Sequence, residues 1–280
     1  MSDFLTNALT KPMPKPMPNT LVKPAQKSTG WFLPHRLVLI GITLALFIYA
    51  GMNMQWYWIA DYYPAIMSGL WRSIALLVST FIIGFLIAIP LGLVQVTGPK
   101  YLAIPARGFC SLIRGTPLLL QIWLLYYGLG SIFPSIGWLR SSPIWPYLME
   151  AWPYAFLALT LSVAAYEGEV MRGAFAGVPK GELEAARAFG MSPLKILRRI
   201  WLPRAIQRCL PILGGEVILQ LKATPLVATI TIIDTYAVFS KIRQETYIIY
   251  EPLLLMTLIY LLLAGLIAVI FKRFENKVTR

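Results

Sequence analysis

Long apolar runs set the limits on what this chain can become. Between Leu37 and Tyr57, Ile66 and Val96, Pro117 and Phe133, Pro153 and Phe175, Ile206 and Ile233, and Leu253 and Phe271, the sequence stays mostly apolar over lengths near or above the roughly 20 residues that a helix needs to cross a bilayer. A hydrocarbon layer offers no water to an unpaired N–H or C=O, so such runs must close their own hydrogen bonds as helices. Composition agrees, with 58% hydrophobic and 13% charged residues. The expected fold is an all-α integral membrane protein with six transmembrane helices.

The formal net charge of +13 would suggest nucleic acid as a partner if the chain were soluble, so its distribution has to decide. Lys11, Lys15, Lys23, Lys27 and Arg36 precede the first run, and Lys100, Arg107 and Arg114 surround the second connection. Eight more, from Arg172 to Arg208, flank the fourth connection, and Lys272, Arg273, Lys277 and Arg280 end the chain. Placing these segments in the cytoplasm satisfies the positive-inside bias and leaves over only Arg72, Arg140, Lys222, Lys241 and Arg243. Both termini are then cytoplasmic. Residues 1–35, with their Lys-Pro and Met-Pro tract, read as a disordered basic tail, and no apolar segment follows the start as a cleavable signal would require. Residues 36–65 hold the first span and its aromatic exit belt, and residues 66–275 the remaining five spans.

Several chemistries are excluded by what the chain lacks. His35 is the single histidine, so no His-based metal site and no Ser/His/Asp triad can be assembled. No phosphate-binding Gly-x-x-x-x-Gly-Lys-Ser/Thr loop occurs, so any ATP that drives the protein is bound by another subunit. Cys110 and Cys209 fall near cytoplasmic ends of different spans, where thiols stay reduced, and read as small packing residues. We therefore expect no catalytic residues, no metal and no cofactor on this chain.

The polar interruption at residues 176–205 carries the most information. Gly181-Glu182-Leu183-Glu184-Ala185-Ala186-Arg187-Ala188-Phe189 is built from good helix formers and is stopped by Gly190. Ser192 and Pro193 then suit the cap and first turn of a second helix. The product is a helix-turn-helix knuckle outside the membrane. Glu184-Ala185-Ala186, followed at fixed spacing by Gly190 and by Leu202-Pro203, resembles the EAA loop of ABC importer permeases. The resemblance implies that Gly181, Glu184, Ala185, Ala186, Arg187, Gly190, Leu202 and Pro203 form the segment that docks on an ATPase dimer, which holds ATP and Mg. It further implies a second permease subunit, here expected to be a related but different chain, and an external binding protein that delivers substrate. The setting would be the bacterial cytoplasmic membrane.

Other segments are similar to the polar amino-acid branch of that family, of the histidine/lysine/arginine/ornithine or opine type. Arg114-Gly115-Thr116-Pro117-Leu118 matches one element, and the same residues also read as a plain helix-start signal. Tyr166, Glu169, Val170, Gly173 and Ala174 match another, which in the family lines the translocation path. Glu216-Val217-Ile218-Leu219 with Lys222 and Thr224 matches a third, except that Pro225 replaces the usual Ser and should interrupt the helix. Branch members commonly have five core spans, so the first span looks like an addition.

Ionisable groups in spans cost roughly 2.5–3.5 kcal/mol at a helix centre and need a partner or an aqueous cavity. Glu167, Glu169, Glu216, Thr224 and Asp234 are the expected substrate-path residues. Glu169 sits three residues from Arg172 and can pair with it, whereas Glu167 is turned about 200° away on a helix. Glu169 thus has two readings, a substrate contact or a neutraliser of Arg172. The expected function is a permease subunit, not an enzyme, that passes polar cationic amino acids or opines. The competing class is an ion-gradient-driven secondary transporter, which also tolerates buried carboxylates but does not explain the knuckle spacing.

Overall fold

The computed structural model describes residues 34–278, and every regular element among them is helical. They fall into a unit ending at Met54 and a larger unit beginning at Gln55. The tail expected at residues 1–35 lies outside the described residues up to residue 33. Within the first unit, α1 spans Pro34–Asn53, near the length expected for the first run.

The larger unit begins with α2, Trp58–Thr97, whose 40 residues pass through Pro64 and Pro90 without ending. At 1.5 Å per residue it is about 60 Å long, twice a hydrocarbon layer. The amphipathic α3, Lys100–Gly115, follows the turn at Gly98-Pro99. The next helix, α4, spans Leu118–Ser135 and is π-helical over Leu124–Leu129. Two single-turn helices, α5 (Gly137–Arg140) and α6 (Trp145–Leu148), occupy the connection that follows. Then come α7, Trp152–Ala176, and the knuckle helix α8, Lys180–Ala188. The helix α9, Pro193–Ile230, is π-helical at Leu197–Trp201 and 3-10 from Thr224. Last are α10, Thr235–Thr246, and α11, Tyr250–Val278. Among the described residues, α2, α4, α9 and α11 are long and apolar enough to cross a membrane by length and composition.

The centre of the unit is the α2–α7 pair. One face of α2 is buried through Ser73, Leu76, Thr80, Gly84, Ala88, Gly92 and Gln95, a three-to-four-residue rhythm that puts small side chains where a second helix must approach. A Cβ placed on Gly84 would lie 2.6 Å from Val163 Cβ, and one on Gly92 2.7 Å from Met171 Cβ. Glycine is therefore the side chain that fits at both places. Gly173 faces open space instead, and Gly177 makes room for the Arg208 guanidinium.

Around this pair the core gathers in clusters. Leu76, Ile122, Ala155, Ala158, Leu159, Val227 and Ile230 join α2, α4, α7 and α9. Met171, Phe175, Val178, Ala205 and Cys209 join the lower end of α7 to α9. Both cysteines are free and buried.

Candidate functional site

A cavity of about 230 Å³ opens where α2, α4, α7 and α9 converge, lined among others by Phe81, Gln121, Ser162, Tyr166, Glu167 and Glu216. It is smaller than the roughly 300–1,000 Å³ of drug-sized ligand sites, a scale that suits a small polar solute. Two of the expected acids reach it. Glu167 is only 1% exposed, and its Oε2 has no hydrogen-bond partner. Glu216, on α9, lines the same cavity.

Glu169 lies outside this lining. Its Oε2 accepts from Arg172 Nε at 2.9 Å and is also 3.8 Å from Arg114 at the end of α3. The Arg114 guanidinium stands 5.4 Å over the Tyr166 ring, a cation–π distance, and Tyr166 itself borders the cavity. An Arg–Glu–Arg cluster thus sits at the Ile113–Thr116 edge of the cavity. One residue, Gly168, separates the buried, unpaired Glu167 from the paired Glu169, and the roughly 200° turn between them sends one side chain into the cavity wall and the other toward α3.

The other expected path residues play visible structural parts. Thr224 is fully buried and its hydroxyl donates to Leu221 O at 2.8 Å, at the point where the α-helix gives way to the 3-10 segment that carries Pro225. Asp234 is 1% exposed and caps α10, its Oδ1 accepting from Ala237 N at 2.9 Å. Its backbone carbonyl lies where a side chain on Gly69 would have to go. Lys222 is exposed, and no described carboxylate pairs with it.

Sequence reasoning passed over Gln121. Its Nε2 donates to Ile113 O at 2.7 Å, Thr116 O at 3.0 Å and Thr116 Oγ1 at 2.8 Å, so it ties the Gly115-Thr116-Pro117 turn to α4. A lone amide after three leucines gives little signal. The preceding Gly-Thr-Pro, which leaves carbonyls without helical partners, is the clue that a nearby donor is needed.

The knuckle has the two helical arms and the Gly190 stop that its sequence implied, without the expected Ser192 cap. Gly190 adopts φ 74°, a left-handed conformation that favours glycine, and ends α8. Ala186 is 4% exposed and its carbonyl accepts from Met191 N at 3.2 Å, so a larger residue there would push the two arms apart. Gly181, Glu184, Ala185 and Arg187 are exposed, as is Phe189 at 88%. Ser192 makes no side-chain cap, although Pro193 begins the second arm. The arms are fastened to the spans at two points beside Leu202-Pro203. Trp201 Nε1 donates to Phe175 O at 3.0 Å, and Arg204 Nε donates to Glu182 Oε2 at 3.1 Å.

Residues 81–280 match the family described as binding-protein-dependent transport system inner membrane component. The octopine transport system permease protein OccM of Rhizobium radiobacter is 41% identical over 213 residues, covering 76% of this chain and 85% of that protein. The arginine ABC transporter permease protein ArtM of Haemophilus influenzae is 34% identical over 221 residues, covering 78% of this chain and 94% of that one. A solved crystal structure of an amino acid ABC transporter with histidines superposes with a TM-score of 0.69 at 28% identity, over 81% of this chain and 100% of that one.

Proposed function

Because this chain belongs to the family of binding-protein-dependent transport system inner membrane components, we propose that it is the permease subunit of an ATP-driven importer whose cargo is a polar, cationic amino acid (arginine, lysine, histidine or ornithine) or an opine. Membership makes it a membrane transport component, whose family works with an ATPase and an external binding protein. The relatives' printed names, octopine permease and arginine permease, support the cargo class. The ion-gradient alternative finds no support in them.

In this reading the ATPase dimer binds ATP and Mg, and this chain binds neither. A related second permease completes the pathway. Glu184 and Arg187, exposed on α8, meet the ATPase, and Gly190 sets the bend. Six spans, the first of them an addition at residues 36–65, place both termini and the coupling loop at 176–205 on the cytoplasmic side of the inner membrane. ATP-driven closure rocks the spans through the knuckle.

The observation that carries the cargo class is the cavity with Glu167 and Glu216 in its wall and the Oε2 of Glu167 unpaired. A buried carboxylate is costly without a donor, and an ammonium or guanidinium supplies one. A hydrogen bond to a charged group is worth about 1.5–3 kcal/mol, or roughly 10- to 100-fold in affinity. Glu167→Gln, expressed with the whole transport system, should therefore lower uptake of labelled arginine at least tenfold at an unchanged membrane level. Wild-type uptake in that variant would sink the cationic reading.

A further inference from the structure

We propose that Gln121 is a specificity-determining residue of the cavity, holding its amide oxygen as an acceptor for an N–H of the cargo's cationic end; this rests on the cation reading above. The side chain has no freedom to serve as a donor. Three acceptors, Ile113 O, Thr116 O and Thr116 Oγ1, lie within 3.0 Å of Nε2, which carries only two hydrogens. Thr116 Oγ1 donates to Leu112 O at 3.0 Å, so toward Gln121 it can only accept. Turning the amide over would set Oε1 against two carbonyl oxygens, so the network fixes its orientation.

The consequence falls on the other end of the amide. Gln121 lines the cavity, and its Oε1 is closed off from solvent without a hydrogen-bond partner. The second closed-off, partnerless side-chain atom among the lining residues is Glu167 Oε2, also an acceptor. Buried polar atoms left unpaired call for an explanation, and two acceptors at one cavity share a simple one, a ligand group made only of donors. An ammonium or a guanidinium fits that description. A urea or carboxamide does not, because it would press its own oxygen against one of these acceptors. Gln121 adds no charge, so its part is discrimination between donor-only groups and their neutral isosteres. Glu167 and Glu216 supply the attraction.

The test uses the permease–ATPase complex in lipid nanodiscs without the external binding protein, so that selectivity is read at the membrane stage. Equilibrium binding of labelled arginine is compared with that of citrulline, whose urea replaces the guanidinium. The wild-type complex should favour arginine. In Gln121→Lys the ammonium offers three N–H groups to the same three acceptors and removes the oxygen, so the turn keeps its fastening. The arginine-to-citrulline ratio should then fall at least tenfold in complexes that still co-purify with the ATPase. Gln121→Met removes donor and acceptor without adding charge and should lower the ratio in the same direction. A wild-type ratio in either assembled variant overturns the proposal, and so does failure of both to assemble, which would reduce Gln121 to a fastening of the turn. Glu167→Gln separates the two readings. Loss of arginine binding there with an unchanged ratio in the Gln121 variants leaves the cation reading standing and removes this one, whereas unchanged arginine binding in Glu167→Gln removes both.

Discussion

Adding one methyl group to the α2–α7 seam should loosen the whole unit. In Gly84→Ala the new Cβ would lie 2.6 Å from both Val163 Cβ and Cγ1 and 3.0 Å from Thr160 O. Carbon atoms rest at about 3.5–4.0 Å, so the two helices must part by roughly 1 Å. Neither obstacle can rotate away, because one is a Cβ and another a backbone oxygen. Overpacking therefore costs near the top of the usual range of about 1–3 kcal/mol. Replacing glycine in a helix returns about 1 kcal/mol of backbone propensity, which leaves a net loss of about 1–2 kcal/mol. Gly173→Ala is the matched control, since its Cβ meets nothing within 4 Å. It keeps the propensity gain and should come out neutral or more stable. Gly92→Ala repeats the clash against Met171 Cβ at 2.7 Å and Arg172 N at 2.8 Å. Once one site has parted the helices the second costs less, so the double variant should lose less than the sum. Thermal unfolding of the solubilised protein can be followed with a fluorogenic thiol label, because Cys110 and Cys209 are each 1% exposed and react as the fold opens. A Gly84→Ala melting temperature equal to or above that of Gly173→Ala would refute the packing argument.

Two further outcomes are expected. Glu184→Arg should reach the membrane normally and break the link between ATP hydrolysis and uptake, measured side by side in reconstituted vesicles; wild-type uptake would end the docking role assigned to the exposed face of α8. Asp234→Ala removes the cap on Ala237 N and should cost about 1 kcal/mol, seen as a lower melting temperature with an unchanged arginine-to-citrulline ratio. A changed ratio would give Asp234 a part on the cargo's route.

Much of the architecture could be read before any coordinates, because its signals are local. Pro193 opens a helix, Gly190 stops one, and Glu169 and Arg172 three residues apart form the pair that the spacing allows. What could not be read depends on neighbours far along the chain. Glu167 and Glu169 are two residues apart in one helix, and the positions of α3 and α9 decide that Glu169 gains a second arginine, Arg114, while Glu167 is left in a cavity wall. Gly84 and Gly173 look alike in sequence, but Val163 crowds one and nothing crowds the other. Gln121 was invisible for the same reason: its meaning comes from a turn five residues earlier and from an acid on another helix.

The bond from Trp201 Nε1 to Phe175 O gives the knuckle a lever. Phe175 belongs to the same unbroken helix as Glu167, about 12 Å further along at 1.5 Å per residue. A tilt of about 10° imposed at the knuckle would swing Glu167 by roughly 2 Å, more than half the length of a hydrogen bond. Gearing of that size is enough to make or break a contact with a bound cation. Trp201 would then act as the pin of the linkage, and a shorter side chain there would leave the motor turning against a slack arm.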